Sequence, residues 1–166
     1  HVEMVRGVYS RIDSPESMFE AGREARRNLT GHTSEDASVH DTAYVSEEAV
    51  VREGAEVGPN AAVLGQSYVG INAEIGAGAV VEDSSVHSGA QVLNADVRVS
   101  AVWEDAVLDP NTSVERSLIA EESVVRSGTS ITQSFIGPRS HIEVNNSIRG
   151  VKFVPDARTD LSEISK

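Results

Sequence analysis

Three consecutive stretches decide the fold: SAVWEDAVLDPNTSVER (100–116), SLIAEESVVRSGTSITQ (117–133) and SFIGPRSHIEVNNSIRG (134–150). They align without gaps. Each begins with Ser, and each carries an aliphatic residue at its third, ninth and fifteenth positions. Followed back through the chain, the aliphatic column runs Val39, Val45, Val51, Val57, Val63, Val69, Ile75, Val81, Val86, Val92, Val97, Val102, Leu108, Val114, Ile119, Val125, Ile131, Ile136 and Ile142. Of its 18 intervals, 13 are six residues and five are five residues. Two residues before each of these 19 positions stands Ala, Ser or Thr, from Ala37 to Ser140. Those three types number 45 of 166 residues, so the match does not arise by chance. Two side chains per step, two residues apart, have the geometry of a strand facing inward.

A third column follows three residues after the aliphatic: Gly54, Asn60, Asn72, Gly78, Gly89, Asp105, Asn111, Gly128 and Asn145. These types tolerate left-handed backbone and tight turns. Each step is therefore a short strand and a corner, and three steps make a triangular coil. The expected fold is an all-β solenoid of about six to seven coils, each rising roughly 4.8 Å. A narrow prism holds Val, Ile, Ala and Ser but little aromatic bulk, which matches 24 Val against seven aromatics.

The chain divides into three parts. Residues 37–154 hold the repeat. Residues 1–36 predict a short extended segment, a helix and a linker. Ser14 is a good N-cap, Pro15 suits the first helical position and Glu16 complements the dipole. Met18, Ala21, Ala25 and Leu29 share one helical face. Arg23, Arg26 and Arg27 sit near the C-terminal end, Asn28 and Gly31 are stop signals, and 30–36 (TGHTSED) read as the linker. The open ends of a solenoid need capping. The helix near 14–28 is expected beside one end, and the tail 155–166 (PDARTDLSEISK) as a short helix or a cover for the other.

Composition excludes several classes. No stretch approaches the 18 apolar residues of a membrane span. With no Cys, disulfides, thiol nucleophiles and Cys-ligated zinc are excluded. A net charge of −12 argues against nucleic acid as the main partner. The acidic, Lys-poor composition fits a cytoplasmic, salt-rich setting. The first residue is His1, so a fragment or processed product is expected.

Stretches such as VGPNAA, VGINAE and IGAGAV resemble the hexapeptide-repeat, left-handed parallel β-helix family across residues 37–154. The left hand comes from the resemblance alone, because crossover connections are otherwise right-handed in about 98% of cases. A narrower likeness lies in SSV (84–86), SAVWE (100–104), SLIAE (117–121) and SFIGP (134–138), which are similar to the C-terminal β-helix of sugar-1-phosphate nucleotidyltransferases. YSRIDSPESMFEA (9–21) resembles the end of that family's catalytic domain. There Arg11 stands where the family often has a metal-binding Asp, with Asp13 as the substitute or as a plain helix-start carboxylate. The Gly-rich nucleotide-binding segment and the sugar-binding half are absent from these 166 residues, so this segment alone is not expected to transfer nucleotides.

The resemblance implies an assembly or regulatory β-helix domain of a nucleotidyltransferase that works with Mg2+, with no cofactor or metal held in this segment and no catalytic residue assigned. It also implies a homo-oligomer, a trimer by family analogy, with a nucleotidyltransferase domain in cis or trans as partner. The alternative is a hexapeptide-repeat acetyl- or acyl-CoA-dependent transferase; a second is a stand-alone scaffold subunit. Under the CoA alternative His40, His87 and His141 are the candidate general bases, because imidazole titrates near neutrality. Each flanks an inward aliphatic and should point outward, and no insertion breaks the repeat as those enzymes' loops do. A three-His metal site is disfavoured by spacings of 47 and 54 residues. Outward apolar ladders, Val107–Val124–His141 and Ala101–Leu118–Phe135, are expected as exposed contact surfaces, and Trp103 is expected to face out.

Overall fold

The computed structural model describes residues 30–151 and the backbone of 158–159. The chain winds as a left-handed parallel β-helix of about seven coils. Each coil contributes one two- or three-residue strand to each of three parallel sheets. The first sheet runs from His32–Thr33 through Val50–Val51, Tyr68–Val69, Ser85–Val86, Ala101–Val102 and Leu118–Ile119 to Phe135–Ile136. The second runs from Ser38–Val39 to His141–Ile142 and adds Arg158–Thr159; the third runs from Tyr44–Val45 to Ser147–Arg149. There is no helix among the described residues.

Register follows the aliphatic column. Val86 pairs with Val102, Val102 with Ile119, and Ile119 with Ile136, so like residues stack from coil to coil. From Val51 to Ile142 every member of that column is at most 2% exposed, and so is every Ala, Ser or Thr from Ala49 to Ser140 in the companion column. One continuous core therefore runs the length of the prism.

Two kinds of corner connect the strands. In the wide corner the carbonyl of its first residue accepts the amide of the inward Ala three residues later, as in Ala55 N–H to Arg52 O and Ala73 N–H to Gly70 O. All nine Gly, Asn and Asp of the corner column have positive φ. Gly54 is needed twice over, because a Cβ there would lie 2.1 Å from the Asn72 carboxamide oxygen.

One tight corner, with Asn94 left-handed, joins the second sheet to the third. The other four join the third sheet to the first, and their left-handed residue comes only two positions after the aliphatic: Asp83, Val99, Arg116 and Gln133. The Ser that follows replaces the missing turn bond. Ser117 Oγ donates to Glu115 O at 2.7 Å and accepts the amide of Ser134, one coil on, at 3.0 Å. Ser84 and Ser100 do the same, and Ser67 and Ser134 extend the file. The Ser-aliphatic element that resembles nucleotidyltransferase β-helices is thus accounted for by backbone hydrogen bonding at this corner.

Two described strands lie outside residues 37–154. His32–Thr33, inside the stretch read as a linker, is a strand paired with Val50–Val51. Arg158–Thr159, inside the tail, is a strand paired with His141–Ile142. The expected helix at 14–28, with Asp13, lies outside the described residues.

Ser117→Ala should cost about 1–3 kcal/mol in urea denaturation, because it leaves a buried amide and a carbonyl without their partner. Val99→Asn should stabilise by about 1 kcal/mol, since Val99 is a β-branched residue held at φ 48° and Asn tolerates that region better.

Candidate functional site

The corner between the first and second sheets carries the densest chemistry. Its leading position reads Arg52, Gly70, His87, Trp103, Ala120 and Gly137 on successive coils, because each follows the inward aliphatic of the first sheet. His87 and Trp103 are thereby stacked by register, 6.4 Å apart between ring centroids and tilted by 58°. Tyr68, pointing outward from the first sheet, meets the same imidazole edge-on at 6.2 Å. Glu104, next to Trp103, reaches back one coil and places Oε1 3.2 Å from His87 Nδ1. The imidazole is held on three sides and still 36% exposed. A carboxylate at Nδ1 fixes the tautomer and leaves Nε2 as the nitrogen able to accept a proton.

The other histidines are differently placed. His40 lies on the corner between the second and third sheets in the first coil. Its Nδ1 is 2.9 Å from the Thr42 hydroxyl and accepts the Thr42 amide at 3.1 Å, so it shapes that turn. His141 lies on the second sheet with Nε2 3.6 Å from Glu143 Oε1, an ion pair only when protonated. The three histidines sit on different coils and faces and are not brought together. Among the described residues no group of three or more His, Cys, Asp or Glu could hold a metal ion.

The two outward ladders have the expected register, Val107–Val124–His141 and Ala101–Leu118–Phe135. Leu118 points away from the core yet is 1% exposed, so this ladder is a contact surface already covered there. Trp103 is half-buried against His87. Glu104 and Tyr68 were missed in the sequence, although Glu104 stands seventeen residues after His87, one beyond its register partner Trp103, and that offset could have found it.

Two cations near other strands are already paired. Arg98 binds Glu82 at 3.3 Å and Asp96 at 3.2 Å, and Arg126 binds Asp109 at 3.2 Å. Arg52 and Arg139, on the His87 corner, are exposed. Among the described residues no helix is long and apolar enough to cross a membrane.

No protein-family model matches the chain, and no curated protein matches it. Several solved structures do. One is a hexapeptide transferase family protein from Anaplasma phagocytophilum, with 17% identity, 68% of this chain and 69% of that one covered, and a TM-score of 0.45. Another is a GDP-perosamine N-acetyl transferase from Caulobacter crescentus in complex with CoA and GDP-perosamine, with 19% identity, 82% and 60% coverage and a TM-score of 0.42. A third is the acetyltransferase domain of PglB from Neisseria gonorrhoeae in complex with acetyl coenzyme A, with 18% identity, 82% and 62% coverage and a TM-score of 0.40. The chain thus spans about 60% of the length of the two acetyltransferases. Likeness this loose carries no argument about activity.

The carboxylate contact has a direct check. Nitrogen-15 NMR of neutral His87 should show the Nδ1–H tautomer in the native chain. Glu104→Ala should move the population toward Nε2–H.

Proposed function

We propose that this β-helix serves a hexapeptide-repeat acyltransferase, with His87 as general base and Glu104 as its orienting carboxylate. The observation that carries it is the 3.2 Å contact between Glu104 Oε1 and His87 Nδ1 on a half-exposed corner lined by Tyr68 and Trp103. Acyl transfer to a hydroxyl or amine needs a group that takes the acceptor's proton as the new bond forms. His87 Nε2 would accept that proton, and Glu104 would stabilise the resulting imidazolium through Nδ1–H.

The carrier implied is acetyl-CoA or another acyl-CoA, and when bound it would supply the acyl group. On this proposal, residues along the corner would hold it. Trp103 offers an aromatic face to an adenine ring, and the guanidiniums of Arg52 and Arg139 offer charge to phosphates. The acceptor class on this proposal is a sugar amine or hydroxyl, and the working form a homo-oligomer, a trimer by analogy.

A second reading is the assembly domain of a sugar-1-phosphate nucleotidyltransferase, with Mg2+ held elsewhere in the parent protein. One observation favours it: every corner in the described coils is a short turn, so no loop reaches out to enclose a substrate.

Thiol release from acetyl-CoA in the presence of amino-sugar acceptors separates the two. His87→Ala should lower the rate by about 10²–10⁴, while His141→Ala leaves it unchanged. If calorimetry detects no CoA binding and no acceptor supports turnover, the acyltransferase proposal fails and the assembly reading stands.

A further inference from the structure

The two ends of the prism are unlike. At the C-terminal end the chain closes on itself. The Phe135 amide donates to Val151 O at 2.7 Å, the Val151 amide donates to Ser134 Oγ at 3.2 Å, and Arg158–Thr159 pairs beyond His141–Ile142. Ile136 and Ile142 are 0% exposed there, and Ile148 is 4% exposed. At the N-terminal end the inward positions are open. Thr33 is exposed, and Ala37, Val39, Ala43 and Val45 are only partly buried. His32–Thr33, Ser38–Val39 and Tyr44–Val45 are the outermost members of their sheets at this end, so each has one described neighbour. Apolar core and strand edge are presented together, a combination that folded proteins cover.

The rim of this open end is acidic. Glu35, Asp36, Asp41, Glu47 and Glu48 are all exposed, and residues 30–48 contain no Lys or Arg. A second copy would bring the same carboxylates face to face. The occupant called for is basic on one side and apolar on another.

We propose that residues 14–29 of this same chain are that occupant. They carry Arg23, Arg26 and Arg27, together with Met18, Ala21, Ala25 and Leu29 at helical spacing, and they join directly to Thr30. The attachment point is at the rim: Gly31 lies so close to the Glu47 carbonyl that a Cβ would be 1.7 Å from it. The apolar residues would cover Val39 and Val45, and the guanidiniums would face Glu35, Glu47 and Glu48. Tethering at Thr30 makes the contact intramolecular, so it needs little intrinsic affinity.

Amide hydrogen exchange of the full chain at low salt tests this. With Arg23→Glu, Arg26→Glu and Arg27→Glu combined, the amides of 37–48 should exchange about tenfold faster. Those of the central strand Ser113–Glu115 should keep their protection and show that the coil is intact. Adding Glu35→Arg, Glu47→Arg and Glu48→Arg should restore protection at 37–48. Unchanged exchange in the first variant, or no restoration in the second, would overturn the proposal. So would protection that rises with protein concentration, because it would assign the end to a second copy.

Discussion

The structure depends on one constraint: a backbone turned through three corners per coil must still pair its amides and carbonyls. Strands of two or three residues are too short to be stable alone. They persist because each pairs with the coils on either side, so the hydrogen-bond ladders run along the prism. Side chains act mainly by letting the corners be tight enough for that stacking. Small inward Ala, Ser or Thr before each corner's aliphatic keeps the cross-section narrow, and the aliphatic fills it.

The two corner types show how chemistry substitutes for geometry. A wide corner closes with its own turn bond to an inward Ala. A tight corner between the third and first sheets has one residue fewer and lacks that bond, so the Ser hydroxyl takes the carbonyl and offers an acceptor to the next coil. Ser67, Ser84, Ser100, Ser117 and Ser134 therefore form a buried file in which each hydroxyl is both donor and acceptor. Thr112, in the equivalent inward place before the third sheet, has a buried hydroxyl without a partner. One coil on, Thr129 at the same corner donates to Glu143 O at 3.0 Å and accepts the Asn146 amide at 3.3 Å, so the lone Thr112 hydroxyl is the exception.

A rigid ladder of corners also suits chemistry. Register places His87, Trp103 and Glu104 on adjacent coils at a spacing set by the sheets, so the imidazole is oriented without any loop having to order itself. The same regularity limits the site. A solenoid with short corners offers a ridge rather than a pocket, and anything bound there needs a second surface to enclose it. Val50 and Leu118, buried on the outer face of the first sheet, show that not all of that face meets solvent.

Much of this was legible in the residues. The aliphatic column, the small-residue column and the Gly, Asn and Asp corners predicted strand, core and turn position by position, because each reflects a local demand repeated at every coil. The tight corners were only half legible: the five-residue intervals were visible, but Val99, Arg116 and Gln133 are not turn formers, and their left-handed backbone is imposed by stacking. Tertiary structure alone decided the pairing of His87 with Glu104 and the burial of Leu118. Both depend on which residues from separate coils meet outside the core, where the repeat imposes no residue type.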